Sequence, residues 1–384
     1  MDKLDGMRKG RILIVLLAIG ILSLTPPKKI YASSGEELSK DYDYSEIQEV
    51  IDEVLSTDEK INFEDYVVDL VTSRKSFSLE QVGNDIKNGV MNEIKENIGI
   101  LTSLISIAVI AAVFTNFSFA FQNSQVAETG FYVAYLLLFS VLTVSFIAAA
   151  NLASDTLSAI LDFMKALVPA YFLSVAFCSG AGTSMIYYET TLFLITFVDI
   201  LLIRVIIPMI NIYLVIAMAN NLSKEDFLSK LTDLIAVVIK WSLKSLLTLV
   251  LGFNAVQGLI LPVADKIKKS VLMKAAGAIP GVGDVFGSVT ESVLGAGILL
   301  KNAIGIAGVV VIVIVCAVPI IKLTVTSLIY RVSCAAVQPI SDKRMLSCVN
   351  ASAEASGLLL QTVCIGAVLF LLTITIVSAA TTWG

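Results

Sequence analysis

The stretch Ile304–Ile329 reads IGIAGVVVIVIVCAVPIIKLTVTSLI and carries one charged side chain, that of Lys322. A helix needs about 20 consecutive apolar residues to cross the hydrocarbon core of a bilayer, which is roughly 30 Å thick. This stretch is long enough, and it must be helical because lipid offers no hydrogen-bond partner to bare backbone amides. It therefore predicts an all-α integral membrane protein.

Further apolar blocks extend this prediction in both directions along the chain. The 384 residues are 57% hydrophobic and only 15% charged, with a mean hydropathy of +0.86, which is too apolar for a soluble domain. The sequence predicts a polytopic membrane domain over residues 97–384, with about seven transmembrane helices. Besides the stretch quoted above, the blocks are Ile98–Phe121, Gly130–Asn151, Leu157–Phe177, Thr191–Met218, Leu234–Leu261 and Leu358–Ala379.

The N-terminus is organised differently. In residues 1–32, basic side chains precede the short apolar run Ile12–Leu24, and Ala32 is a small residue suited to cleavage. This pattern is typical of a secretory signal peptide, with an uncleaved anchor as the alternative. Residues 33–96 then carry 17 acidic and six basic side chains, with apolar spacing such as Ile47, Val50, Ile51 and Val54. We expect an acidic segment of short amphipathic helices outside the cytoplasm.

The placement of lysines provides a topology. If residues 33–96 lie outside, the five blocks between Ile98 and Leu261 bring the chain to the cytoplasm. Positive charge is expected on that side. Topology after Lys274 stays open, because Lys343 and Arg344 would then lie outside. The lysines that follow the fifth block are Lys266, Lys268, Lys269 and Lys274.

Several kinds of chemistry are disfavoured by composition. The chain has no histidine, which removes the commonest general base and the commonest metal ligand. Its five cysteines form no C-x-x-C pair. We predict no catalytic, cofactor-binding or metal-binding residues, and no enzymatic activity.

The stretch Pro280–Gly287, PGVGDVFG, has three competing interpretations. A nucleotide-binding loop would need a preceding strand, and no strand pattern is present. The G-x-G-D of intramembrane aspartyl proteases would need a second aspartate after a tyrosine in a membrane helix, and a Pro-Ala-Leu; the only Tyr-Asp is Tyr42-Asp43, and Pro-Ala-Leu is absent. The favoured interpretation is close helix packing through G-x-x-x-G spacing.

This packing motif extends in both directions from the quoted stretch. Glu291 continues the i+4 row on one helix face. A capping box at Ser288 precedes a short apolar run that ends at Leu300, which predicts a re-entrant or broken helix about 20 Å long. The glycines of the predicted motif are Gly277, Gly281, Gly283, Gly287 and Gly295.

Charged residues inside the apolar blocks form a second set of candidates. Charge in mid-bilayer is costly, so such groups usually face protein or water, although snorkelling towards the interface is the alternative. Lys240 and Lys244 share one helix face, and we expect that face to meet a water-filled path or acidic groups. Prolines 169, 208 and 319 are expected to kink or break their helices. The candidate polar path consists of Asp162, Asp199, Lys240, Lys244, Glu291 and Lys322, with the three acidic members as possible lysine partners.

Short motifs in the C-terminal half closely resemble one known family. They are Pro280-Gly281-Val282-Gly283, Ser288, the run LLKNAIGIAG from Leu299 to Gly308, Pro319-Ile320-Ile321-Lys322, Tyr330 and Gln338-Pro339-Ile340-Ser341-Asp342. Together with the signal peptide, exported segment and multi-span body, they resemble stage III sporulation protein AE of endospore-forming bacteria. The likeness is sharp over residues 280–342 and slight in the acidic segment.

The resemblance implies a location and a role. It implies a permease-type subunit in the mother-cell membrane around the forespore. Such a subunit would act in a channel or secretion-like complex that joins the two cells and sustains late forespore development. Its partners would be other membrane proteins of that complex and the lipid bilayer, and it would not bind nucleic acid. A homo-oligomer is compatible with this role. The rival functions are a self-contained secondary transporter, with Asp162, Asp199 and Glu291 as candidate ion ligands, and an intramembrane aspartyl protease.

Overall fold

The computed structural model describes residues 43–54, 62–71, 98–113, 124–179, 181–222, 227–276, 283–339 and 341–382. Within these ranges the chain is helical apart from short turns and helix ends, which confirms the all-α prediction. The helices are α1 (Ser45–Val54), α2 (Phe63–Val71), α3 (Ile98–Val113), α4 (Ser124–Ser179), α5 (Ala181–Asp199), a π-helical segment (Ile200–Ile206), α6 (Ile207–Leu222), α7 (Ser229–Ala276), α8 (Gly283–Val337) and α9 (Lys343–Thr382).

Two of the predicted spans are joined in one helix. Gly130–Asn151 and Leu157–Phe177 both lie in α4, which continues through the residues between them. Those residues, Leu-Ala-Ser-Asp-Thr, include neither glycine nor proline, so nothing local interrupts the helix. With 56 residues, α4 is about 84 Å long at 1.5 Å per residue, more than twice the thickness of a hydrocarbon core.

The number of spans therefore differs from the expectation of seven. Within the described residues, five stretches are long and apolar enough to cross a membrane, and the count of seven is not confirmed. The first predicted block is represented by α3, whose 16 residues form a shorter apolar helix, and the end of that block lies outside the described residues. The five stretches are Glu128–Phe177, Ser184–Leu222, Ser229–Gln257, Gly295–Val337 and Lys343–Val377.

The short re-entrant helix predicted from Ser288 to Leu300 is not separate. Those residues form the first part of α8, which continues without a break into the block that begins at Ile304. The connecting residues Lys301, Asn302 and Ala303 can all adopt helical backbone angles, so the helix does not end at Leu300. Since α8 already begins at Gly283, the capping box at Ser288 lies inside the helix. This prediction was wrong in treating a local start signal as a boundary.

The three prolines affect the helices differently. Pro169 and Pro319 lie inside α4 and α8, which continue past both positions. Pro208 is the second residue of α6, just after the π-helical segment. A proline ring clashes with the carbonyl four residues earlier, here that of Arg204, and the wider π turn relieves this clash. Of the expected distortions, the one near Pro208 is visible as a change of helix type.

The core is organised around α9. This helix packs against α4, α6, α7 and α8, and its span has the largest buried share of the five. Glycines permit close approach at two points in the core. A Cβ atom at Gly308 of α8 would lie 2.6 Å from Leu167 Cδ2 of α4, and one at Gly366 of α9 would overlap a terminal methyl group of Leu157.

The described part of the acidic segment packs against the bundle. Helix α1 contacts α4, and α2 contacts α8. Phe63 is fully buried, and its ring meets that of Phe163 on α4 edge-on, with 6.4 Å between the centroids. Ile47 and Ile51 are also buried, as the apolar spacing of α1 predicts. The segment is thus partly integrated with the helical domain.

The two short helices are fixed at their ends by side-chain hydrogen bonds. The Phe63 amide donates to Gln48 Oε1 at 2.9 Å, which links α2 to α1. Both the hydroxyl and the backbone amide of Ser45 donate hydrogen bonds to the Asp43 carboxylate. The hydroxyl bond first and the amide bond second lower the pKa of Asp43, and together they cap α1. The signal peptide or anchor at residues 1–32 and most of residues 33–96 lie outside the described residues.

Candidate polar site between the helices

An ion pair joins α7 to α9 within two of the candidate spans. Lys240 Nζ lies 2.7 Å from Glu354 Oε1, with the two side chains 50% and 40% exposed respectively. The residues are far apart in sequence, so the pair depends on how the two helices pack. Because each side chain is about half exposed, both charges remain in contact with the surroundings of the helical bundle.

A tyrosine completes the coordination of the carboxylate. The Tyr213 hydroxyl on α6 donates to Glu354 Oε2 at 3.0 Å, while Lys240 occupies the other oxygen. Hydrogen bonds to an ionised group are stronger than those between neutral groups. Glu354 therefore connects three helices, α6, α7 and α9, through its two oxygens.

A cleft of about 410 Å³ opens beside this pair. On α9, positions 350, 354, 357, 358 and 361 repeat at helical spacing, so they project to one side of the helix. Arg331 enters from α8 and lies beside Gly357 of α9. The polar lining consists of Lys240, Arg331, Asn350, Glu354 and Gln361.

The structure places the predicted lysine beside an acid, but not beside a predicted one. Lys240 was expected to meet Asp162, Asp199 or Glu291, and it meets Glu354 instead. Asp162 pairs within its own helix, with Lys165 Nζ 3.0 Å from its Oδ1. Glu354 is not among the sequence-predicted partners because the last apolar block begins at Leu358, four residues later.

A signal for the earlier start of α9 is present in the sequence. Asp342 accepts a hydrogen bond from the Arg344 amide at 2.8 Å, which is the geometry of a helix N-cap. No proline follows before Leu358 to end the helix. Recognising Asp342 as a cap would have placed Glu354 three turns inside a helix that continues into the membrane block.

The remaining polar candidates are dispersed. Lys244 is exposed and does not line the cleft. Asp199 is half-buried just before the π-helical segment, and Lys322 is half-buried in α8. Glu291 belongs to α8 by its backbone. The structure therefore brings Lys240 together with Glu354 and Tyr213, and it places Asp162 and Lys165 in a different pair.

The predicted glycine motif is only partly within the described residues. Gly277 and Gly281 lie outside them. Gly283, Gly287 and Gly295 all belong to α8, so their helical spacing is present, and Gly295 is half-buried. The glycines at which close helix approach is visible are others, namely Gly308 and Gly366.

A buried lysine was also missed. Lys301 is completely buried in α8, and the neighbouring Asn302 is nearly so. Buried lysine is rare because desolvation penalises its charge. Lys301 belongs to the run Leu299–Gly308 that carries the family resemblance, but it is not among the sequence-predicted site residues. Its position next to an apolar block was the available signal.

Metal binding receives no support in the described part of the chain. No group of three or more histidine, cysteine, aspartate or glutamate side chains there could hold a metal ion. Cys316, Cys334, Cys348 and Cys364 are free thiols.

Comparisons with known proteins agree with these features of sequence and fold. The family model for stage III sporulation protein AE matches residues 61–381. The stage III sporulation protein AE of Bacillus subtilis (strain 168) is 24% identical over 315 residues, covering 82% of this chain and 79% of that protein. No solved structure matches the chain. With a family match that covers most of its length and a multi-helix body built for a membrane, the chain belongs to the stage III sporulation protein AE family.

Proposed function

We propose that this protein is a permease-like membrane subunit of a sporulation channel or secretion-type complex. It would lie in the mother-cell membrane around the forespore, with residues 33–96 outside the cytoplasm, and link the two cells during late forespore development. Its partners would be other membrane proteins of the same complex, and no catalytic step is assigned to it.

The observation that carries the proposal is the Lys240–Glu354–Tyr213 cluster. Ionisable groups inside membrane helices are costly and usually serve pathways or partner contacts. Here they join three helices at one side of a polar cleft. A cluster of this kind can hold helices in register while giving polar solutes or partner segments a surface inside an otherwise apolar body.

A self-contained secondary transporter is the second candidate. The specific observation that favours it is the π-helical segment Ile200–Ile206 before Pro208, since transporters often interrupt helices near their substrate sites. Such a protein would move its solute without partners. A complex subunit, by contrast, would be inactive alone and stable in association.

Co-purification separates the two functions. A tagged chain isolated from sporulating cells should bring other membrane proteins of the sporulation complex with it, while an unrelated tagged polytopic protein from the same cells should not. Isolation of the chain alone, combined with solute uptake by proteoliposomes containing only this protein, would contradict the subunit function and support the transporter.

A further inference from the structure

We propose that the cleft between α7, α8 and α9 binds the anionic headgroup of a phospholipid. The cleft holds two cationic side chains, Lys240 and Arg331, and one carboxylate, Glu354. The inference does not depend on the channel function, because a lipid site can be measured on the purified protein.

The charge balance of the cleft points to an anion. Glu354 is already engaged at both oxygens, by Lys240 and by Tyr213. Arg331 lines the same cleft as Glu354, yet within the described residues its guanidinium has no ion-pair partner within 4 Å. One positive charge is thus left over. The planar guanidinium is well suited to a phosphate group, and the amides of Asn350 and Gln361 supply further donors.

The surroundings of the cleft point to a lipid as the source of that phosphate. On α7, Val237 and Trp241 flank Lys240 and are 61% and 68% exposed. On α8, Leu328 and Val332 flank Arg331 and are also exposed. These large apolar side chains face outward on both sides of the polar lining, where acyl chains would lie. Basic clefts between membrane helices are known to take anionic headgroups, and tryptophan favours the headgroup level.

The size of the cleft agrees with this ligand class. About 410 Å³ accommodates a phosphate with a small polar headgroup, and the half-exposed Lys240 and Glu354 side chains show that it opens at the surface of the bundle. A free phosphate ion would use the same cations but none of the apolar flanks. The two sources therefore differ in what they contact.

Quenching of tryptophan fluorescence by brominated lipid tests the proposal. The full chain carrying Trp383→Phe leaves Trp241 as the reporter next to Lys240. In detergent micelles, brominated phosphatidylglycerol should quench Trp241 at lower concentration than brominated phosphatidylcholine does. Arg331→Gln should weaken the apparent affinity for phosphatidylglycerol about tenfold, equivalent to ~1.4 kcal/mol. Equal quenching by the two lipids, or an unchanged affinity in this variant, would overturn the proposal.

Two further variants and one competing anion test whether binding depends on charge within the cleft, on the fold or on phosphate alone. Lys244→Gln removes a charge one turn along α7 but outside the cleft, and it should bind like the parent protein. Asn350→Asp adds a negative charge at an exposed position, which spares the fold, and should also weaken binding. Parent-like binding by Asn350→Asp would contradict the site. If millimolar inorganic phosphate alone displaced the lipid, the ligand of this cleft would be a free anion and the lipid proposal would be wrong.

Discussion

The ammonium group of Lys240 lies 2.7 Å from the carboxylate of Glu354, although 114 positions separate the two residues in the chain. The pair fixes α7 against α9, and Tyr213 adds α6. Hydrogen bonds to charged groups contribute roughly 1.5–3 kcal/mol, and partial exposure reduces this towards about 1 kcal/mol for the ion pair itself. The contact therefore matters more for helix register than for total stability.

Neutralising the pair should impair function in a position-specific way. Lys240→Gln is expected to lower spore formation without changing membrane insertion or protein level, because Glu354 loses its cation. Lys244→Gln, one turn away and outside the cleft, should have little effect. Spore counts and membrane immunoblots measure both.

The reversed pair provides the control for this prediction. Lys240→Glu combined with Glu354→Lys should recover part of the function that either single variant loses. Full spore formation by a Lys240→Leu and Lys244→Leu double variant would instead show that both charges are merely tolerated.

Close helix approach at Gly308 and Gly366 should be sensitive to side-chain volume. Leucine at either position would press on Leu167 or Leu157 across the contact with α4, and overpacking costs roughly 1–3 kcal/mol. We expect lower thermal unfolding midpoints in detergent for Gly308→Leu and Gly366→Leu. Gly252→Leu is the matched control, since a Cβ there meets nothing within 4 Å. Three equal midpoints would contradict this account of the packing.

Docking of the acidic segment should depend on Phe63. Replacing this fully buried ring with alanine removes its contact with Phe163, and such changes typically cost 3–5 kcal/mol in a well-packed core. In Phe63→Ala, limited proteolysis should cut within residues 43–71 faster than in the parent. Glu64→Ala, on the exposed side of α2, should be cut at the parent rate. A parent-like rate for Phe63→Ala would mean that the segment is held elsewhere.

The G-x-G-D stretch should behave as a packing element rather than as a protease site. Asp284→Ala is expected to retain much more function than Gly283→Leu or Gly287→Leu, because leucine at a glycine position blocks helix approach. Sporulation efficiency is the measurement. A null Asp284→Ala with two normal glycine variants would end the packing interpretation.

Because α4 is continuous, its two predicted spans count as one membrane crossing, which changes the side of the membrane on which later segments lie. With one crossing for α4, one for Ser184–Leu222 and one for α7, residues 33–96 and Lys266–Lys274 lie on opposite sides only if α3 does not cross. The lysines at positions 266–274 favour the cytoplasmic side of the membrane. We therefore expect residues 33–96 outside and residue 268 inside, which requires that the apolar block containing α3 does not cross.

Cysteine labelling checks this topology. In a background without the five native cysteines, a cysteine at position 90 should react with an impermeant reagent from outside intact cells. A cysteine at position 268 should react only after permeabilisation. Labelling of both from outside would show that α3 crosses the membrane.

The sequence by itself determined the solvent, the helical fold class and the family. Uninterrupted apolar blocks such as Ile304–Ile329 require helices in lipid whatever surrounds them, since unsatisfied backbone groups are excluded there. The amphipathic spacing of Ile47 and Ile51 likewise predicted a buried face on α1. These features are local along the chain, so a reader of the sequence can recover them.

Only the tertiary structure decided which charges meet and where helices end. Polar residues such as Asp155, between two apolar blocks, looked like a boundary, yet the helix continued because no residue there opposes helical geometry. The choice of Glu354 over Asp162 or Asp199 as the partner of Lys240 depends on the packing register of α7 against α9. That register is set by tertiary packing between distant parts of the chain. Contacts between distant positions leave no periodic trace in a single sequence.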